Sequence, residues 1–167
     1  MLRFRPAALA VVMLAFLWVS STSTALAGKP TPCPIGACIN GPVSYASGVV
    51  CPFPVRVEPL IDKTVLHTLP NGDLFITGRL IQKATNLRTG QSMTFPRSGP
   101  LRLVFNPDGT VTDISLGQVL WTFFRQDVGG PGLFLFKGRV VIQSSAEGFA
   151  TSVSHVPNEI DVCQALS

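Results

Sequence analysis

The sequence predicts an all-β protein, built as a single antiparallel up-and-down β-barrel of about eight strands. Short β-branched and aromatic runs follow one another from Cys51 onward, and turn signals separate them at near-regular intervals. The connections are short, which favours antiparallel pairing of consecutive strands, and no long helical pattern occurs. A two-sheet β-sandwich is the alternative. We prefer the barrel because closure removes exposed strand edges.

The first predicted strands carry their apolar residues on one face. Phe53, Val55 and Val57 alternate with other residues that include charged ones, which is the period-2 pattern of a strand with one solvated face. TVLHTL follows, and the turn PNGD at residues 70–73 leads into the long run LFITGRLIQKATNL. Gly78 within that run predicts a bulge or a sharp bend rather than a break. The short run QSMTF comes next.

The second half of the domain continues this arrangement. LRLVF ends at the turn NPDG, residues 106–109, in which the proline presets φ and the glycine accepts a positive φ. TVTDISL and QVLWTFF follow, and the loop DVGGPG leads to LFLFKGRVVIQSS and then to FATSVSHV. Internal glycines in the longest runs are typical of strands that bend around a barrel. The last ten residues predict one helical turn or a strand end.

The stretch GGPGLFLFKGRV, residues 129–140, shares only its glycines with a phosphate-binding loop. A dinucleotide-binding fingerprint needs a third glycine where Leu135 stands, and it needs a helix where this stretch has a strand pattern. No nucleophile motif or metal-ligand spacing occurs either, so we predict no catalytic residue, no metal and no cofactor. A barrel isomerase or cyclase would need polar side chains pointing inward. The candidates for that role are Glu58, His67, Arg79 and Arg102.

The N-terminus predicts a secretory signal peptide of residues 1–27. Arg3 and Arg5 precede an unbroken apolar run from Ala7 to Val19, and the small residues of a cleavage site follow. The run is shorter than the roughly 20 residues of a membrane-spanning helix, so we expect a secreted chain without a transmembrane segment after cleavage. Residues 28–50 are predicted to form an irregular Pro/Gly-rich arm that carries a disulfide. Residues 51–167 are predicted to form the barrel domain.

The charge pattern gives no support for nucleic-acid binding. Of the 13 Lys and Arg residues, Arg3 and Arg5 leave with the signal peptide, so 11 remain against 9 Asp and Glu. The remaining basic residues are scattered along the chain rather than clustered, whereas a nucleic-acid or anionic-membrane surface needs them together on one face. We therefore predict that nucleic acid is not a partner.

Four cysteines lie in the part of the chain that would be exported, where an oxidising compartment favours disulfides. Four cysteines allow three pairings, and the sequence does not decide among them. We favour Cys33 with Cys38, because turn-forming residues separate them, and Cys51 with Cys163, which would join the two ends of the main domain.

Aromatic residues provide the candidate binding site. Trp121 with Phe123, and Phe134 with Phe136, are i, i+2 pairs on two strands joined by one loop, so each pair lies on one strand face. These four side chains either belong to the core or line an apolar ligand cavity. Leu133 and Leu135 occupy the opposite face, so this strand is apolar on both faces. We therefore expect the N-terminal arm, a partner subunit or a ligand to cover the outer face of this strand.

Several motifs resemble a group of small secreted actinobacterial proteins of unknown function. They are CPFPVRVE, NGDLFITG, TNLRTGQS, SGPLRLVFNPDGT, GPGLFLFKGRVV and DVCQAL, and they cover residues 51–166 approximately. The resemblance implies export and a β-rich domain bracketed by cysteines at the positions of Cys51 and Cys163. It carries over no catalytic or binding residue.

Three functions are compatible with these observations. The first is a secreted binding module for a small apolar molecule or a component of the cell envelope. The second is a structural, interaction or inhibitor protein of the envelope that presents the loop CPIGAC, residues 33–38. The third is the barrel enzyme described above, which has the least support because the sequence contains no catalytic motif.

Overall fold

The structure, a computed structural model, describes residues 31–32, 41–97, 99–155 and 158–167. The predicted signal peptide, the loop 33–38 and the predicted Cys33–Cys38 bridge lie outside these residues. The elements are β1 (Thr31–Pro32), β2 (Val43–Tyr45), β3 (Val55–Thr68), β4 (Leu74–Asn86), β5 (Ser92–Arg97), β6 (Leu101–Phe105), β7 (Val111–Phe123), β8 (Gly132–Ser144), β9 (Ala150–His155), β10 (Glu159–Asp161) and the helix α1 (Val162–Ala165).

All of these strands belong to one antiparallel sheet, so the predicted all-β fold is confirmed. The main order is β1-β3-β4-β6-β7-β8-β10, while β2 pairs with β3, β5 with β4, and β9 with β8. The predicted closure is not found: among the described strands no hydrogen-bonded pairing joins the two ends of this order. Two separate sheets are not found either. The single sheet folds over on itself, because β5 and β7 approach each other without pairing.

Two long hairpins form the two layers of this folded sheet. β3 is 14 residues long, and β4, β7 and β8 are 13 residues each. Gly117 of β7 lies opposite Gly138 of β8, in the middle of that hairpin. β4 runs through Gly78 without a break, as predicted, and the register shift of the β3–β4 hairpin lies between Pro59 and Ile61 instead.

The main hydrophobic core lies between the two layers. Val55 of β3, Ala84 of β4 and Phe95 of β5 pack in one cluster with Leu133 and Leu135 of β8. All five side chains are at most 2% exposed. Because these strands are not hydrogen-bonded neighbours across the two layers, burial of apolar surface holds the layers together.

The predicted Cys51–Cys163 disulfide is present and closes this core at one end. It joins the segment before β3 to α1 over a sequence separation of 112, with the two Cα atoms 5.4 Å apart. The buried Asn86 side chain of β4 adds a second tie, since its Nδ2 donates a hydrogen bond to the carbonyl oxygen of Leu166 at 2.8 Å. The C-terminus thus forms both a short strand and a helical turn.

β8 is apolar on both faces because each face packs in a different hydrophobic cluster. Leu133 and Leu135 face the main core, whereas Phe136 packs in a second cluster with Ile142 and with Ala150 of β9. The ring of His155, also on β9, lies 4.9 Å from the Phe136 ring. The cover that the sequence predicted for the Leu133 and Leu135 face is therefore the opposite layer of the same sheet, because both leucines are buried in the main core.

The connection between β5 and β6 creates an opening in the fold. β5 pairs with the second half of β4, and β6 pairs with its first three residues. β6 continues the sheet to β7, but β5 does not pair with β7. A Cβ atom on Gly99 would overlap the carbonyl oxygen of Leu116, so the connection presses directly against β7 at that point. The space left between β5 and the second half of β7 is called the wedge below.

Candidate functional site

The wedge contains a cavity of about 360 Å³. Side chains from β2, β4, β5, β6 and β7, together with the residue that follows β7, form its wall. They are Tyr45, Ile76, Arg97, Leu101, Leu103, Asp113, Leu120, Trp121, Thr122 and Phe124. Most of the wall is apolar, and the charged members are one arginine and one aspartate. This composition is typical of a small-molecule site, in which a few polar groups orient an apolar body.

Aromatic side chains stand at the solvent-facing end of the wedge. The ring of Phe124, which is 38% exposed, meets the ring of Tyr45 edge to face at 5.8 Å between centroids. Trp121 lines the same cavity and also contacts Phe123 of the second cluster, at 6.4 Å between ring centroids. Trp121 therefore connects the cavity to the packed aromatic cluster behind it.

Arg97 carries the positive charge of the cavity wall. The register places Arg97 of β5 beside Leu80 of β4 and Leu80 beside Asp62 of β3, so the three residues form one row across the sheet. Burial lowers the pKa of Arg97, and the charges of Asp113 and Asp62 oppose that effect. None of the ion pairs found among the described residues involves Arg97. Arg97 is half-buried, so its guanidinium is partly desolvated and yet has no carboxylate within 4 Å in the part of the chain that the structure describes.

Asp113 faces this arginine from β7. It is 5% exposed, and burial raises its pKa to about 6, although a hydrogen bond from Ser115 and the charge of Arg97 act in the opposite direction. The Oγ atom of Ser115 donates to Asp113 Oδ1 at 2.9 Å. Asp113 therefore changes its charge near neutral pH, in contrast to an ordinary aspartate.

Asp62 supplies a second carboxylate near Arg97. Its Oδ1 accepts hydrogen bonds from the backbone N–H and the hydroxyl of Thr64, at 3.0 Å and 2.6 Å. Its Oδ2 is buried and has no hydrogen-bond partner among the described residues. A small space of about 10 Å³, lined in part by Thr64 and Arg97, adjoins the wedge. The interior next to the cavity is thus polar, with two carboxylates and one guanidinium.

The polar residues that the enzyme hypothesis needed inside the fold do not converge. Glu58 pairs with Lys83 at 3.0 Å and with Arg56 at 3.1 Å. Arg102 pairs with Asp73, and its side chain is 45% exposed. The remaining two candidates are elsewhere: Arg79 is exposed, and the ring of His67 lies 3.4 Å from the Thr77 hydroxyl.

The four predicted aromatic site residues do come together. The centroid of the Phe123 ring lies 5.9 Å from that of Phe134 and 6.3 Å from that of Phe136, and the last two rings stack at 6.1 Å. Phe123 and Phe136 are each 3% exposed and belong to the packed second cluster. Of the four, Trp121 is the one that lines the wedge cavity.

A smaller pocket lies over the other three predicted aromatic residues. Its volume is about 160 Å³, and it is lined by Phe123, Phe134 and Phe136 together with the loop glycines that follow β7 and with His155 and Glu159. The His155 ring Nε2 and a Glu159 carboxylate oxygen are 3.2 Å apart. The prediction that these phenylalanines line a ligand cavity remains a prediction.

Sequence reasoning missed Tyr45, Arg97 and Asp113. A signal existed for two of them, since Arg97 follows the buried Phe95 at i+2 and Asp113 precedes the buried Ser115 at i+2. A charged residue that continues the inward face of a strand indicates a buried charge. The contact between Tyr45 and the wedge depends on how β2 joins the sheet, and no local pattern reports that.

No group of three or more His, Cys, Asp or Glu residues in the described part of the chain is arranged to hold a metal ion. No helix in that part is long and apolar enough to cross a membrane. Comparison with family models, with curated proteins and with solved structures finds no match.

Proposed function

We propose that this protein is a binding module for a small amphipathic molecule, whose apolar body occupies the wedge cavity. The observation that carries the proposal is the cavity itself, which combines a largely apolar wall with one guanidinium and one carboxylate. Its volume of about 360 Å³ lies at the lower end of the range of about 300–1,000 Å³ that is typical of ligand sites. A ligand with a short chain or one to two rings fits this size.

In this function the folded sheet acts as a container, much as a small barrel does. The two hairpin layers enclose the ligand from both sides, and the unpaired gap between β5 and β7 provides the entrance. We also propose that the chain is exported, because the Cys51–Cys163 disulfide is consistent with an oxidising compartment and the N-terminus has the pattern of a signal peptide. Under this proposal the resemblance to small secreted proteins reflects a shared container.

Intrinsic fluorescence tests the binding directly. The sequence has 2 Trp residues, and one of them lies in the predicted signal peptide, so Trp121 is the only tryptophan of the mature chain. We would titrate the secreted protein with decanol and, as a polar comparison, with glycerol. Decanol is expected to shift the Trp121 emission in a saturable way, whereas glycerol is expected to leave it unchanged.

Two matched leucine variants locate the site. Leu103 lines the cavity, so Leu103→Phe fills part of it and is expected to weaken decanol binding by about tenfold or more. Leu116 is 44% exposed and is not part of the cavity wall, so Leu116→Phe should bind like the wild type. If decanol and other small amphiphiles give no saturable shift, and no small molecule is found by mass spectrometry of the secreted protein, the proposed function is wrong.

A further inference from the structure

The charges around Arg97 indicate what kind of polar group the ligand carries. Two aspartates act on the guanidinium, Asp62 from β3 and Asp113 from β7, and both do so without forming an ion pair within 4 Å. β4 places the apolar Leu80 beside Arg97, and β2 contributes the phenol of Tyr45 to the same wall. Arg97 therefore presents N–H donors to the cavity that the protein's own carboxylates do not occupy.

A carboxylate is the chemical group that fits these donors best. A guanidinium offers two parallel N–H groups, which match the two oxygens of a carboxylate, and such a pair is stronger than a hydrogen bond between neutral groups. An alcohol or an ester offers no negative charge to the partly desolvated guanidinium. The cavity wall beyond Arg97 is apolar and accepts the rest of a monocarboxylic acid.

A bound ligand carboxylate adds a negative charge to a site that already has a net negative charge. With both aspartates ionised, Arg97, Asp62 and Asp113 together carry a net charge of −1, and a ligand carboxylate would bring it to −2. Asp113 is the group that can relieve this, because its carboxyl group is buried against the cavity and already holds a proton more tightly than an ordinary aspartate. Asp62 is less suited, since it is not part of the cavity wall and its Oδ1 already accepts two hydrogen bonds from Thr64.

We propose that the ligand is an amphipathic monocarboxylate, that Arg97 binds its carboxylate, and that Asp113 takes up one proton from solvent when the ligand binds. This inference rests on the proposed function. No covalent bond forms or breaks: the proton adds to the Asp113 carboxylate, and the same proton returns to solvent when the ligand leaves. Binding is therefore tighter in mildly acidic solution than in neutral solution.

The experiment compares decanoate with decanol in the Trp121 fluorescence titration at pH 5.5 and pH 7.5. Decanoate is expected to bind more tightly than decanol at pH 5.5 and to lose affinity by up to about tenfold per pH unit above pH 6. Decanol binding should not change with pH. A decanoate affinity that is equal at the two pH values would contradict the proton uptake.

Variants separate the roles of the two charged residues. Arg97→Gln should weaken decanoate binding by about 10- to 100-fold and decanol binding much less, while urea unfolding shows that the variant is folded. Asp113→Asn mimics the protonated residue, so it should bind decanoate at pH 7.5 as tightly as the wild type does at pH 5.5. The control is Arg79→Gln on the exposed face of β4, which should behave like the wild type.

The outcomes distinguish the two proposals. If decanol binds and Arg97→Gln has no effect on decanoate, the carboxylate inference is wrong while the binding function stands. If neither compound changes the Trp121 emission, the binding function itself fails. Arg97→Lys keeps the positive charge but lacks the two parallel N–H groups. If it restores most of the affinity lost in Arg97→Gln, the charge alone binds the ligand, and the proposed match between two N–H groups and two carboxylate oxygens is wrong.

Discussion

At Asp113, burial and hydrogen bonding act in opposite directions on one carboxyl group, and burial is the larger effect. The folded-state pKa of about 6 lies above the unfolded value of about 3.9, so the folded protein binds this proton more tightly than the unfolded chain does. The contribution of Asp113 to stability is therefore most favourable in acid, declines as pH rises from about 4 to about 6, and remains unfavourable above that range.

We expect Asp113→Asn to be more stable than the wild type at pH 7.5, by up to about 3 kcal/mol, because the amide carries no charge to desolvate. The difference should disappear near pH 4. Urea unfolding at several pH values measures it.

Asp108 serves as the control for that measurement, because hydrogen bonds from Thr110 lower its pKa and Asp108→Asn should therefore destabilise the protein at neutral pH. A loss of stability in Asp113→Asn at pH 7.5 would mean that the ionised Asp113 forms a net favourable interaction.

Phe123 and Phe124 are adjacent in the chain, but Phe123 packs in the second cluster and Phe124 lines the wedge cavity. Phe123 is 3% exposed in the second cluster, so Phe123→Ala should lower the free energy of unfolding by about 3–5 kcal/mol. Phe124 is 38% exposed at the wedge, so Phe124→Ala should cost less than about 1 kcal/mol but weaken decanol binding. Chemical unfolding and the Trp121 titration give the two readouts. Equal stability losses in the two variants would contradict this assignment.

At the scale of the elements, the β3–β4 hairpin depends on a glycine. Gly78 has a φ of +114°, and a Cβ atom there would overlap the carbonyl oxygen of Lys63 on the adjacent strand. Gly148, in the turn before β9, has a φ of +89° with no atom within 4 Å of its hypothetical Cβ atom. The two positions share the unfavourable φ for an L-residue and differ in the backbone contact.

Gly78→Ala is therefore expected to destabilise the protein by more than about 3 kcal/mol, whereas Gly148→Ala should cost about 1 kcal/mol, the strain of the positive φ alone. Thermal and urea unfolding of both variants measure the difference. If Gly78→Ala is tolerated as well as Gly148→Ala, β3 and β4 do not approach as closely as described.

The elements that the sequence predicted correctly are those that local patterns determine. The turns at residues 70–73 and 106–109 and the passage of β4 through Gly78 follow from turn chemistry and glycine. The Cys51–Cys163 bridge is the favoured pairing of three, and the structure confirms it. The separate runs QSMTF and LRLVF, which form β5 and β6, are also predicted. The wedge between β5 and β7 could not be predicted, because it depends on how the sheet folds over its core. Arg97 and Asp113 come together only through that long-range packing.

At the scale of the whole molecule, closure comes from a covalent bond and packing rather than from a continuous hydrogen-bonded ring. The folded sheet leaves β5 and β7 unpaired, so beyond the pairing of β6 with β4 and β7 the layers are held together by the main core and by the Cys51–Cys163 bridge. This arrangement leaves an entrance to the cavity without breaking a strand pairing. It also makes the stability of the domain depend on the bridge that joins its ends.

Removal of the Cys51–Cys163 bridge measures its contribution to the stability of the domain. Because the bridge spans a sequence separation of 112, its loss should lower the free energy of unfolding by about 5 kcal/mol through the entropy of the unfolded chain. Urea unfolding of the wild type with and without dithiothreitol measures this loss, and a Cys51→Ala, Cys163→Ala double variant should unfold near the midpoint of the reduced wild type. Any remaining response of that variant to dithiothreitol reports the predicted Cys33–Cys38 pair. A wild type whose midpoint does not move under conditions that reduce all disulfides would show that the bridge does not contribute to the stability of the folded sheet.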